Sequence, residues 1–270
     1  MAKIQFVGGY IKDKKDKRDF PATKLLVREV SLPDSFIVNL NTIIYDQGQT
    51  PSCVGFSSAG VKTDEEYTQW AKQIKFDGMW LYNECKKIDG IPNIEGTYPR
   101  VACKIMNQRG CKVVTGAATC PIRFLKPKPP EPTPDEIAKW KIAAYYRVEP
   151  KSTLDFVKQI IFQFGSILTA STWFKNWMSK FWVFPKPTGT SNEGHAYRGV
   201  GWDYESVNHK SMSFPSGVTI VLKHDNAGII IPNSWGKILW GVNGVAIMPY
   251  ATFRDYVLAE GDCWKLVDAK

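Results

Sequence analysis

Residues 46–60 read DQGQTPSCVGFSSAG. A polar turn with Gly48 and Pro51 leads through Ser52 to Cys53, and the chain then runs through small and apolar residues, the pattern of a loop entering a buried helix. The spacing predicts a helix from Cys53 to Lys72 that becomes charged as it leaves the core. A cysteine at that point has two readings. A small, soft side chain packs well in a core; equally, the unpaired N–H groups and the dipole of a helix start favour a thiolate. The stretch alone does not choose between packing and chemistry, so the choice rests on what the rest of the chain supplies.

The chain has 270 residues, 44% of them hydrophobic, which is ample for one large or two modest domains. Its apolar stretches are interrupted well short of the ~20 residues a membrane-spanning helix needs. The N-terminal sequence MAKIQFVGGYIKDKKDKRD lacks an apolar segment followed by a cleavage site, so no secretory signal is read and the cytoplasm is the default location. Net charge is +9, but the basic residues are dispersed, and the one dense run, Lys12 to Arg18, is broken by Asp13 and Asp16. That run reads as a solvated arm, and no nucleic-acid or membrane partner is expected. Six cysteines, at 53, 85, 103, 111, 120 and 263, form no C-x-x-C pair. Reduced thiols are expected, with a single bridge such as Cys111 to Cys120 left open.

Composition divides the chain into a basic arm (1–32), a mainly helical part (33–120), a proline-rich crossover (121–134) and a mainly β part (135–270). DGMWLYNECKKIDG and YPRVACKIMNQRGCK are helix candidates, the second stopped by Gly110. TPDEIAKWK reads as a capped helix start and LDFVKQIIFQFG as a further helix. SILTAST, HAYRGVGWD, SGVTIVLKHD and GVAIMPY read as strands. The aromatic run STWFKNWMSKFWVF reads as core and interdomain packing.

A cysteine nucleophile needs a base beside it and donors for the oxyanion. Three histidines are available. His209 and His224 lie among polar turn residues and read as surface histidines. His195 enters a strand in EGHAYRGVGWD, and downstream Asn233 could orient its imidazole while Trp235 covers that bond from water.

At this point the residues carry a resemblance. Four blocks, DQGQTPSCVGFS, EGTYP, GHAYRGVGWD and NSWGKILWGVNGVAIM, resemble in order those of the papain-like cysteine peptidases. The resemblance implies a two-lobed α+β fold, with a helical lobe, an antiparallel β-sheet lobe and an active-site cleft between them. It makes Cys53 the nucleophile, His195 the base and later the acid, Asn233 the orienting residue and Gln47 the oxyanion donor. It makes Trp235 the aromatic shield and puts Trp240 on the leaving-group side. Gly96 and Thr97 become the cleft edge whose backbone binds an extended peptide, and Tyr98, Pro99 and Ala196 border an apolar pocket for the second residue before the scissile bond. The implied partner is a peptide or protein substrate, with the chain's own N-terminal arm as a further candidate able to cross the cleft. No metal or organic cofactor is implied. The arm resembles that of prokaryotic or phage members without a long pro-domain, which allows a phage- or particle-associated location.

The chain departs from the family pattern in places. Thr50 and Pro51 stand where Cys and Gly are common, Val54 replaces an aromatic residue, and WGKILWG is one residue longer than the usual form. The expected reaction is peptide hydrolysis through an acyl-enzyme, with Cys53 and His195 as a thiolate–imidazolium pair. The alternatives are amidase or acyl-transfer chemistry on the same groups, or a papain-like binding module without turnover.

Overall fold

The computed structural model describes residues 7–26, 28–39, 42–114, 131–189, 193–203, 211–213, 219–221 and 228–268. Helix α1 spans Cys53–Trp70, so the predicted nucleophile is its first residue. Helix α2 (Gly78–Lys86) starts at Asp77, whose carboxylate accepts the N–H of Trp80. Helix α3 (Pro99–Gln108) has proline at its first position and closes at Gly110, which takes a φ of +97° that favours glycine. Packing of α1 on α2 needs a residue without Cβ: a methyl group at Gly55 would come within 2.3 Å of the Gly78 carbonyl. Helices α4 (Pro134–Ala138) and α5 (Leu154–Phe164) begin at Thr133 and Thr153, each hydroxyl accepting from the backbone three residues on.

Two four-stranded antiparallel sheets make up the rest. The first has the order β2 (Ile142–Arg147), β10 (Asp262–Asp268), β3 (Ile167–Thr172), β4 (Gly194–Gly199). The second has the order β1 (Ser35–Ile37), β5 (Gly201–Asp203), β8 (Gly228–Pro232), β9 (Val245–Pro249). HAYRGVGWD is thus two strands in two sheets, with Val200 between them. A short hairpin pairs β6 (Ser211–Ser213) with β7 (Thr219–Val221). The first sheet shares a core with α1–α3, where Cys53, Val54, Leu81, Ala102, Leu168, Ala196 and Trp264 pack together. The second core holds five buried tryptophans, Trp173, Trp177, Trp202, Trp235 and Trp240.

The structure corrects two expectations. The lobes are not the contiguous stretches 33–120 and 135–270, because β1 pairs with β5 of the later half. Nor does α1 leave the core where it becomes charged. Lys62, Asp64, Glu65 and Glu66 are all buried. Arg198 binds Asp64 at 2.8 Å, Lys265 binds Glu65, and Lys62 holds both Glu66 (2.5 Å) and Asp268 (2.6 Å). Three cations thus face four carboxylates; burial, followed by the Asp268 carboxyl beside it, pushes Glu66 up and so favours the proton that balances the cluster. The reading of the proline-rich crossover at 121–130, of Cys120, of His209 and of His224 falls outside the described residues.

Candidate active site

Cys53 stands at the mouth of α1, fully buried. The backbone N–H of Ala196 donates to its Sγ at 3.4 Å, which ties the strand residue after His195 to the sulfur. His195 Nε2 donates to Asn233 Oδ1 at 2.7 Å, and the same oxygen accepts the Ser234 N–H at 2.7 Å. A proton on Nε2 leaves Nδ1 as the basic nitrogen, and Nδ1 has no hydrogen-bond partner among the described residues. Trp235 stacks on the imidazole with ring centres 4.2 Å apart, and Trp173 meets it edge-on at 4.7 Å. The ring is clamped on two sides and its free nitrogen is left for chemistry.

Gln47 reaches this site because residues 45–47 run beside 234–236. Gln47 N–H donates to the Ser234 carbonyl at 2.8 Å, and Gly236 N–H to the Tyr45 carbonyl at 2.9 Å. Ser234 Oγ donates to Gln47 Oε1 at 2.6 Å, which fixes the amide with Nε2 facing outward. One Nε2 hydrogen goes to the Thr50 carbonyl at 2.6 Å and the other to the Val7 carbonyl at 3.2 Å. The second acceptor belongs to the N-terminal arm.

Residues 7–13 of the arm lie in the cleft. The Gly9 N–H reaches the Cys53 sulfur. Gly9 and Tyr10 both donate to the Gly194 carbonyl, at 3.0 and 3.1 Å. Thr97 N–H donates to the Gly9 carbonyl at 2.9 Å and the Thr97 carbonyl accepts the Ile11 N–H at 3.1 Å, a parallel pairing. Contact this close demands bare backbone on both sides: a Cβ at Gly9 would lie 1.9 Å from the Pro51 carbonyl, and one at Gly96 2.3 Å from the Gly9 carbonyl.

Burial sets the charge state of the pair. It pushes the Cys53 thiol up to about 12, against the backbone N–H groups that pull it down, and lowers the His195 imidazole to about 4 despite the Asn233 bond. Near pH 7 the closed site therefore holds a neutral thiol and a neutral imidazole. The expected thiolate–imidazolium pair is not the resting state, because the covered cleft withholds the solvation that both charges need.

The structure brings Cys53, His195, Asn233, Gln47 and Trp235, the residues the resemblance singled out, into one place. The cleft edge is refined: Thr97 makes both backbone bonds, while Gly96 provides clearance and gives its carbonyl to Lys86 Nζ at 3.1 Å. Tyr98 and Pro99 begin α3 behind that edge, and Ala196 lies beneath the arm. Trp240 is a correction. It is fully buried and donates its indole N–H to the Trp177 carbonyl at 2.7 Å, so it supports the wall from within the core and offers no surface to a substrate. Sequence reasoning missed Ser234 and Trp173 as site residues. It offered the arm as a candidate able to cross the cleft, and the Gly8–Gly9 pair marks the segment that lies there. Among the described residues, no cluster of His, Cys, Asp or Glu could hold a metal ion, and no helix is long and apolar enough to cross a membrane.

Among solved structures the chain is similar to xylellain, a cysteine protease from Xylella fastidiosa, with a TM-score of 0.72 and 22% identity over 97% of this chain and 96% of that one. It is similar to procathepsin B S9 from Trypanosoma congolense, with a TM-score of 0.66 and 18% identity over 98% and 87% of the two chains. It is also similar to digestive procathepsin L 3 of the Tenebrio molitor larval midgut, with a TM-score of 0.66 and 16% identity over 95% and 76%. No protein family model and no curated protein matches the chain. Its fold is the two-lobed α+β papain-like fold.

Proposed function

We propose that this chain is a cysteine peptidase that hydrolyses peptide bonds through an acyl-enzyme on Cys53, and that its N-terminal arm holds the site closed. The observation that carries the reading is the convergence of groups far apart in sequence. His195 is bonded to Asn233 at 2.7 Å with Nδ1 unpartnered, and Ala196 is tied to the Cys53 sulfur at 3.4 Å. Once a substrate displaces the arm, His195 Nδ1 takes the Cys53 proton and the sulfur attacks the peptide carbonyl carbon. The oxyanion takes the Gln47 Nε2–H now used by the Val7 carbonyl, together with the N–H groups at the start of α1. The imidazolium then protonates the departing amine as the C–N bond breaks, and water hydrolyses the thioester by the same route in reverse.

The direction of the arm supports its role as a plug. From Val7 at Gln47 it runs C-terminally toward Thr97. A substrate whose second residue before the scissile bond lies at Thr97 runs the opposite way, so the docked arm presents its bonds with reversed polarity and is not cut in place. Cys53→Ala tests the central claim. Hydrolysis of peptide amides should fall at least about 10⁴-fold, with stability within about 1–2 kcal/mol of the parent. Retained activity would end the reading.

A further inference from the structure

The register of the first sheet sets Asp262 opposite Ala170, and Ala170 opposite Ala196. Residues directly opposite across antiparallel strands put their side chains on one face. A row therefore runs outward from the nucleophile through two methyl groups to a carboxylate. The two alanines leave a trough, and the ring of Tyr10 fills it, packed on the cluster that contains Cys53, Ala170, Ala196 and Trp264. A Cβ at Gly194 would come within 2.5 Å of that ring. At the far end, the Tyr10 hydroxyl donates to Asp262 Oδ2 at 2.7 Å. Thr97 pairs with Tyr10, so this trough is the pocket at the cleft edge.

Asp262 is 1% exposed. Its Oδ1 is held by Arg147 Nη2, while Oδ2 accepts from the Tyr10 hydroxyl and from the Asp13 N–H at 2.7 Å. Both donors to Oδ2 belong to the arm and leave with it. What remains is a carboxylate at the end of the trough, balanced in charge by Arg147, with Oδ2 without a donor from the protein. A side chain that fills the trough and brings no donor buries that acceptor unsatisfied, which is costly. The pocket should therefore select a side chain that ends in a donor. With Arg147 already matching the charge, a neutral O–H suffices and a second cation gains little.

We propose that Asp262 is the specificity-determining residue of this pocket and selects tyrosine as the second residue before the scissile bond, with Tyr10 as its built-in occupant. The proposal rests on the peptidase reading above and replaces the apolar preference expected from the sequence. The test uses the full chain and peptide amides that differ only at that residue, carrying Tyr, Phe, Leu or Arg. The arm competes with every member alike, so ratios between them are independent of its displacement. Tyr should exceed Phe about tenfold or more in kcat/KM, because a site built to bond a hydroxyl leaves its own acceptor unpaired when the hydroxyl is missing. Asp262→Ala should bring that ratio close to one, whereas a purely structural role would lower both rates and keep the ratio. Equal rates for Tyr and Phe, or a faster reaction with Arg, overturn the proposal and leave the peptidase reading standing. If no peptide is turned over, the peptidase reading fails. Equilibrium binding of the same peptides to the chain carrying Cys53→Ala then decides the pocket: about tenfold tighter binding of Tyr supports it, and equal affinity overturns it.

Discussion

The two ends of α1 handle buried polar groups in opposite ways. At its start, Cys53 and His195 are buried and neutral, and His195 Nδ1 is left without a partner. Farther along, Lys62, Asp64, Glu65 and Glu66 are just as buried; the first three meet opposite charges from β4 and β10, and Glu66 meets Lys62 of its own helix. One end keeps an unmet bonding capacity, which the proposed chemistry uses when the cleft opens. The other gives every buried carboxylate a cation beside it and fastens α1 to β4 and β10. The difference teaches that burial alone does not identify a functional group; at His195 the added feature is an unfilled basic nitrogen on a ring already clamped by Asn233, Trp235 and Trp173.

Four experiments would break or sharpen that contrast. The largest effect is expected at the satisfied end. Lys265→Met takes the cation from buried Glu65, whose carboxyl must then hold a proton and lacks its partner, and should cost about 3–5 kcal/mol in denaturant unfolding, and adding Glu65→Leu should recover most of it. Next, Gln47→Ala removes the proposed oxyanion donor and should lower kcat about 10²- to 10³-fold, with a thermal midpoint close to the parent's. The arm provides the third. Gly9→Val introduces a clash with the Pro51 carbonyl, where even a Cβ would sit at 1.9 Å. Undocking should speed iodoacetamide labelling of Cys53 by roughly tenfold, the equivalent of about 1.4 kcal/mol of lost docking energy, and an unchanged rate would show that the arm is no barrier.

The smallest effect concerns pH. Burial, then the charge of Asp262, pushes the Asp13 carboxyl from 3.8 up to about 7 in the docked arm, against the pull of Arg100, the Trp264 indole N–H and Arg147. Between about pH 4 and pH 7 the docked arm therefore keeps a proton that a free arm has released. Docking weakens as pH rises through that window and levels off above it. The protection of Cys53, taken as the Gly9→Val labelling rate divided by the parent rate, should decline severalfold from pH 4 to pH 7. The quotient cancels the thiol's own titration, and a rise over the same range would contradict the assignment.

How much could be read beforehand follows from the range of each signal. The starts of α2, α4 and α5 are written in capping residues a few positions away from what they cap, at Asp77, Thr133 and Thr153, and the start of α3 in the proline at its first position, Pro99. Strands β2 and β10 were not foreseen. IAAYYR and DCWKLVD mix buried and polar residues without clean alternation, since each packs against partners from distant parts of the chain. The charged half of α1 was misjudged for the same reason: four of its buried side chains are tolerable only because Arg198, Lys265 and Asp268 arrive from β4 and β10.

By itself the sequence determined which groups could do chemistry. Cys53, Gln47, His195 and Asn233 stand in local contexts whose residue types and spacing carry the resemblance, and those contexts survive any ignorance of loops. Only the tertiary structure decided the state in which those groups rest. A thiol's charge depends on what covers it and a pocket's preference on what stands at its far end. Here both are set by residues more than 40 positions away from Cys53, the arm at Gly9 and Tyr10 and the carboxylate of Asp262.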